Sequence, residues 1–83
     1  MSSIDFEKLP LAQQVELLIE NWRDFNVSDR YEFKNRLLER LSLEIDEKIF
    51  ERARWDEEDV EYRRIDDEIQ YLQYLYAKLL EKD

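Results

Sequence analysis

The sequence predicts an all-α protein, a three-helix bundle built on a long antiparallel helical hairpin. Glycine is absent and Pro10 is the only proline, whereas sheets joined by tight turns need residues that accept positive φ. Charged residues make up 42% of the chain, which is typical of helical bundles and coiled coils. Apolar residues recur at spacings of three and four in three separate stretches, and this is the periodicity of a helix.

Length and missing residue types narrow the possible functions. The 83 residues predict a single domain, residues 1–83, and a core this small leaves open whether homodimerisation completes the bundle. Cysteine and histidine are absent, so the usual ligands of zinc, haem and iron–sulfur sites are missing, as are Ser-His and Cys-His nucleophiles. We therefore predict no enzymatic activity, no metal and no cofactor.

The N-terminal stretch MSSIDFEKLP gives an indication of where in the cell the protein is located. It lacks a basic segment followed by an apolar one, which is the pattern of a signal peptide,. No run approaches the roughly 20 apolar residues that a membrane helix needs. These features predict a cytoplasmic protein without a membrane partner.

The first helix is predicted over about residues 10–25. Pro10 suits the first helical turn, where a missing N–H costs nothing. One face of the helix carries apolar residues at alternating spacings of four and three, namely Leu11, Val15, Leu18, Trp22 and Phe25,.

The second helix is predicted over about residues 29–54. Asn26, Ser28 and Asp29 can all cap this helix, and Asp29 with Glu32 and Asn26 with Asp29 both have capping-box spacing, so the choice of cap remains open. The apolar stripe consists of Phe33, Leu37, Leu38, Leu41, Ile45, Ile49 and Ala53. Because this stripe winds round the helix, we expect a bend near Ser42 or contact with different neighbours along its length. Leu43 and Phe50 lie off the stripe and favour a second neighbour.

The third helix is predicted over about residues 57–81, with Asp56 as its cap. Its apolar seam has heptad spacing and consists of Tyr62, Ile65, Ile69, Leu72, Tyr76 and Leu79,. A break near Trp55 would fold the second and third helices into a hairpin. Nothing in RARWDEEDVEYRR forbids a continuous helix, since the stretch has neither Gly nor Pro.

Negative charge is concentrated in one short segment. From Asp56 to Glu68 there are eight carboxylates and two arginines, a balance of −6 within a total of −9. Charge this localised creates a directional field, which favours docking on a basic partner protein or imitation of DNA. The alternative is a solvated face, since acids are common at helix N-termini. The acidic candidates for partner binding are Asp56, Glu57, Glu58, Asp59, Asp66 and Asp67.

The C-terminal half of the third helix carries more apolar surface than its seam requires. Tyr71, Tyr74 and Leu75 lie outside the seam, and Tyr is enriched at protein interfaces. These three complete the set of candidate partner-binding residues. The alternative is that Leu75 and Leu80 flank the core and the first helix covers the rest.

The stretch LPLAQQVELLIENW, Leu9 to Trp22, resembles the first helix of short acidic antitoxins, which begin with Leu-Pro followed by an amphipathic helix. The resemblance implies an inhibitor or antitoxin-like neutraliser, and it assigns no functional residue.

Three hypotheses follow for function. The first is a small acidic protein-binding module that docks on a basic partner. The second is a structural subunit that forms a homo-oligomer. The third is a DNA-associated regulator; direct nucleic-acid binding is disfavoured because residues 28–55 balance seven bases with seven acids,.

Overall fold

The computed structural model describes residues 6–82 apart from the side chain of Glu7, so the ends of the predicted 1–83 domain lie outside the described residues. Within that range the chain forms three α-helices and no strand: α1 (Leu11–Glu20), α2 (Val27–Arg52) and α3 (Val60–Leu80). Short 3-10 helices cover Phe6–Lys8 and Trp22–Asp24. The predicted all-α fold class, a three-helix bundle, is confirmed. No helix of the described part is long and apolar enough to cross a membrane.

Helix α1 ends earlier than the predicted residue 25. The Asn21 side-chain amide donates to the carbonyl oxygen of Leu17 at 3.0 Å, and the Asn21 backbone N–H bonds to the same oxygen. This bonding satisfies a terminal carbonyl group and allows the chain to leave the α-helix. Trp22 then begins a 3-10 helix, and Phe25 is extended.

Helix α2 begins two residues before the prediction because Asn26 is its cap. Asn26 Oδ1 accepts a hydrogen bond from the Asp29 backbone N–H at 2.9 Å, and Asn26 Nδ2 donates to the Asp29 carboxylate at 3.0 Å. This pair satisfies an N-terminal donor that would otherwise be unpaired. The helix runs without interruption past Ser42 and contacts both α1 and α3. Its apolar stripe winds round the helix because it packs against two neighbouring helices.

The chain does break around Trp55. Backbone bonds from Trp55 N to Arg52 O and from Asp59 N to Asp56 O form two successive turns. Helix α3 begins at Val60 rather than at residue 57, because Asp59 is the residue that caps it, by accepting from the Glu61 backbone N–H at 3.0 Å. The connection is therefore longer than predicted, and we call residues 50–60, from the last turn of α2 to the first residue of α3, the tip.

The core lies mainly between α1 and the part of the hairpin away from the tip. Lys48 reaches Glu68 at 3.4 Å and Lys34 bonds the Lys82 carbonyl, which shows that α2 and α3 are antiparallel. The main buried cluster consists of Val15, Leu18, Trp22, Leu37, Leu41, Leu72, Leu75 and Leu79. Burial of these side chains is the main stabilising term of the fold.

Toward the tip, the bundle has only two helices. Ile65 and Ile69 are buried there but do not belong to the main cluster. Helix α1, with 10 residues, is about 15 Å long and cannot cover a hairpin arm of about 39 Å. Part of α2 and α3 is therefore left without a third helix.

Candidate partner-binding surface

Half of the predicted acidic segment is occupied within the molecule. Asp59 caps α3. Asp66 forms an ion pair with Arg52 and accepts from Gln70 Nε2 at 2.8 Å. Glu68 pairs with Lys48, and Glu61 pairs with Arg64 at 2.7 Å. Since Arg52 and Lys48 of α2 fold back on Asp66 and Glu68, the local balance counted along the sequence overstates the charge that a partner would meet.

Several exposed acids have no ion-pair partner among residues 6–82, and four of them belong to the predicted acidic segment. Asp56, Glu57, Glu58 and Asp67 are exposed, and none has an ion-pair partner within residues 6–82. Asp56, Glu57 and Glu58 are consecutive residues of the tip. The acids available to a partner are therefore fewer than the sequence suggested and more concentrated.

Large exposed apolar side chains lie near these tip carboxylates along the chain. Phe50, Trp55 and Val60 are 70%, 41% and 77% exposed. The Arg54 guanidinium carbon lies 5.7 Å from the centre of the Phe50 ring, so that ring face is partly covered by a cation. Exposed hydrophobic groups that cluster beside polar residues mark interaction sites. The end of the hairpin therefore carries both exposed acids and exposed apolar groups.

The apolar part of the tip was missing from the predicted candidates. Two sequence signals could have found it. Phe50 lies off the stripe that packs α2, and Val60 lies outside the heptad seam of α3. Trp55 lacks such a signal, because its exposure follows from the turn position and not from a helical period.

Tyr71, Tyr74 and Leu75 fall into two environments. Tyr71 and Tyr74 are 42% and 56% exposed, whereas Leu75 is only 3% exposed and belongs to the core. Leu75 is therefore inaccessible to a partner, since α1 covers it as part of the bundle. Lys78 Nζ lies 5.6 Å from the Tyr74 ring centre, at cation–π distance,.

Tyr71 links α3 to α1. Its hydroxyl donates a hydrogen bond to the Glu16 carboxylate. This bond raises the pKa of Tyr71 above its usual value, with smaller contributions from desolvation and from the Glu16 charge. A phenolate would lose the bond and lie beside a carboxylate. Tyr71 therefore has a structural partner within the chain.

A groove of about 500 Å³ separates α1 from the C-terminal half of α3. Glu16, Glu20 and Ile19 line it from α1, and Tyr71, Tyr74 and Lys78 line it from α3. Acids and bases are both present along its rim. The groove therefore has no single charge preference to select a partner.

The acids of the tip and the tyrosine candidates do not form one site, whereas Asp67 lies one helical turn before Tyr71,. Tyr71 follows the cap Asp59 by 12 residues, which is about 18 Å along a helix. The exposed large apolar residues that flank Asp56, Glu57 and Glu58 along the chain are instead Phe50, Trp55 and Val60. No group of three acidic residues in the described part of the chain is arranged to hold a metal ion.

Comparison of the chain with protein-family models, with curated proteins and with solved structures gave no match. Function is therefore inferred from the geometry of this chain alone.

Proposed function

We propose that this protein is a small non-enzymatic binding module that docks tip first on a partner protein with a basic surface. One observation carries the proposal: the consecutive exposed carboxylates Asp56, Glu57 and Glu58 have no ion-pair partner within residues 6–82, and along the chain they are flanked by exposed Phe50, Trp55 and Val60.

The two kinds of side chain have different tasks in the proposed complex. Carboxylates at the end of an elongated molecule steer a basic partner and raise the association rate. Aromatic side chains buried at the centre of an interface supply most of the binding energy, with Trp among the most frequent hot-spot residues. Trp55 is accordingly the anchor of the tip, and the acids around it set the choice of partner.

Docking of this kind also explains how the module could act without chemistry of its own. When the basic surface is the partner's active site or nucleic-acid site, occupation of that surface neutralises the partner. An inhibitor or antitoxin-like protein works in this way. The tip carboxylates would then occupy the positions where the partner binds the acidic groups of its own substrate or the phosphates of a nucleic acid.

The first test separates tip charge from total charge. The triple variant Asp56→Asn, Glu57→Gln, Glu58→Gln removes three charges and leaves the cap Asp59 intact. The matched control Asp24→Asn, Glu39→Gln, Glu81→Gln removes three exposed charges elsewhere. Tagged proteins are used to capture partners from an extract of the source cell at low and moderate salt, with identification by mass spectrometry. We expect basic proteins to be retained by wild type and control and lost by the tip variant.

The second test removes the anchor. Trp55→Ala leaves every tip carboxylate in place and should lower affinity for the captured protein at least tenfold, as truncation of a hot-spot residue does. Circular dichroism verifies that both variants remain folded. If the charge control loses the same partners as the tip variant, or if Trp55→Ala binds like wild type, the docking surface is not the tip.

A further inference from the structure

The hairpin has two faces, and α1 packs against only one of them. Tyr71 and Leu75 line the groove beside α1. Glu68 lies three residues before Tyr71 and seven before Leu75, so it is on the same side of α3. The Lys48–Glu68 ion pair therefore marks the covered face. Asp66 lies two residues before Glu68, or about 200° round the helix, so the Arg52–Asp66 ion pair marks the opposite face. We call this second face the open face.

The open face is apolar along both helices. On α3, Tyr62 lies one turn from Asp66, and Leu80 lies at the same angle as Tyr62 because 18 residues complete five turns,. On α2, Ile45 and Ile49 precede Arg52 at helical spacing. These side chains are exposed or half-buried. The apolar members of the open face are Leu38, Ile45, Ile49, Tyr62, Tyr76 and Leu80.

The charge on the open face indicates what could cover it. Arg52 and Asp66 neutralise each other, and the exposed neighbours Ser42 and Gln73 carry no charge. A basic partner finds no unpaired carboxylate among these residues. Asp46, one turn after Ser42, is an exposed acid at the edge of this face, so a second copy meets little like charge there although the whole chain carries −9. Apolar and Tyr-containing patches depleted in charge are typical of interface centres.

The area is sufficient for a dimer. Helix α3 has 21 residues and is about 31 Å long, and two helices side by side are about 20 Å wide. A second copy would therefore cover about 600 Å² on each hairpin, or about 1,200 Å² in total, which reaches the lower limit of stable specific interfaces. An interface of this size predicts a dimer that dissociates on dilution.

We propose that a second copy of this chain covers the open face, with the two hairpins antiparallel and related by a two-fold axis. Helices α2 and α3 of the two copies then form a four-helix bundle, and one α1 lies on each outer side. A parallel arrangement would bring the unpaired tip carboxylates of both copies together. The antiparallel one separates the tips by much of the 45 Å molecular length, well beyond the Debye length of about 8 Å. This proposal does not depend on docking at the tip.

Two exposed leucines provide a matched test of the face. Leu80 on the open face and Leu43 on the other side of α2 are 55% and 58% exposed, so Leu80→Glu and Leu43→Glu add the same charge at similar exposure. Sedimentation equilibrium from low to high micromolar concentration should show a monomer–dimer equilibrium for wild type. Leu80→Glu should raise the dissociation constant at least tenfold and Leu43→Glu less than twofold. A wild-type monomer throughout, or a larger effect of Leu43→Glu, overturns the proposal.

The absence of native cysteine allows the orientation to be tested directly. In full antiparallel overlap, Leu80 of one copy lies over Tyr62 of the other. A mixture of Tyr62→Cys and Leu80→Cys chains should therefore form the mixed disulfide faster than either chain forms its own. Faster pairing of Leu80→Cys with itself would contradict the antiparallel arrangement, and circular dichroism confirms that each variant folds.

Discussion

At the scale of single residues, burial and not residue type decides what each leucine does. Leu41 is completely buried in the main cluster, whereas Leu43, two positions later on the same helix, is 58% exposed. Two residues on a helix are about 200° apart. Leu41 therefore faces the core and Leu43 faces the solvent. The two residues provide a matched pair for stability measurements.

We expect Leu41→Ala to lower the free energy of unfolding by about 2–5 kcal/mol, because it removes buried methyl groups and leaves a cavity. Leu43→Ala should change it by less than about 0.5 kcal/mol, as surface substitutions do. Urea denaturation followed by circular dichroism measures both. Similar losses for the two variants would show that the packing of α2 is different from that described.

The Tyr71–Glu16 contact gives a pH dependence. Since the folded-state pKa of Tyr71 is raised by Glu16, the contact contributes its full stability below the unfolded tyrosine pKa of about 10 and loses it as pH rises through the folded pKa. Wild type should therefore exceed Tyr71→Phe in unfolding free energy by at most about 1 kcal/mol near pH 8. The difference should shrink above about pH 10. A difference that grows with pH would contradict the donor role of Tyr71.

At the scale of elements, caps decide where the helices begin. Asp56 and Asp59 have the same chemistry and both precede α3, yet only Asp59 accepts a bond from a helical N–H, that of Glu61. Sequence alone could not choose between them because both spacings permit a cap. The choice depends on the turns around Trp55 that close the hairpin.

Asp59→Ala should therefore lower the unfolding free energy by about 1 kcal/mol, the usual cost of losing an N-cap. Asp56→Ala removes the same charge and should cost much less. Thermal and urea unfolding of the two variants compare them directly. An equal loss would mean that charge near the helix N-terminus, and not the hydrogen bond, supplies the stability.

Helical periodicity predicted the elements better than their ends. The seam residues Ile65, Ile69, Leu72 and Leu79 are all buried, as their heptad spacing indicates. Helix α1 stops at Glu20 instead of continuing to residue 25 because Asn21 turns its side chain back to Leu17. Such side-chain bonds compete locally with the helix and leave no trace in apolar spacing.

At the scale of the whole molecule, the short α1 determines which apolar groups remain exposed. It buries Leu75 at one end of the hairpin and cannot reach Phe50, Trp55 or Val60 at the other. The sequence correctly showed that α3 carries more apolar surface than one seam requires. It could not show which side α1 would cover, because that depends on the direction in which the chain leaves Asn21.

Folding also reduces the net negative charge that the acidic segment presents to a partner. The segment Asp56–Glu68 carries a balance of −6, but Lys48 and Arg52 of α2 fold onto Glu68 and Asp66. Pairs of this kind join residues 14 and 20 positions apart. The tip keeps the consecutive unpaired carboxylates Asp56, Glu57 and Glu58, and Asp46, Glu47 and Glu51 of α2 are also exposed without an ion-pair partner within residues 6–82.

Site-specific photo-crosslinking tests the proposed docking surface most directly. A photoreactive phenylalanine analogue replaces Trp55 in one protein and Leu43, also exposed but away from the tip, in another. After irradiation in an extract of the source cell, we expect position 55 to form an adduct with a basic protein, and the yield to fall as salt increases. Position 43 should not form that adduct. Equal yields from both positions, or no adduct from position 55 at any salt concentration, would contradict tip-first docking.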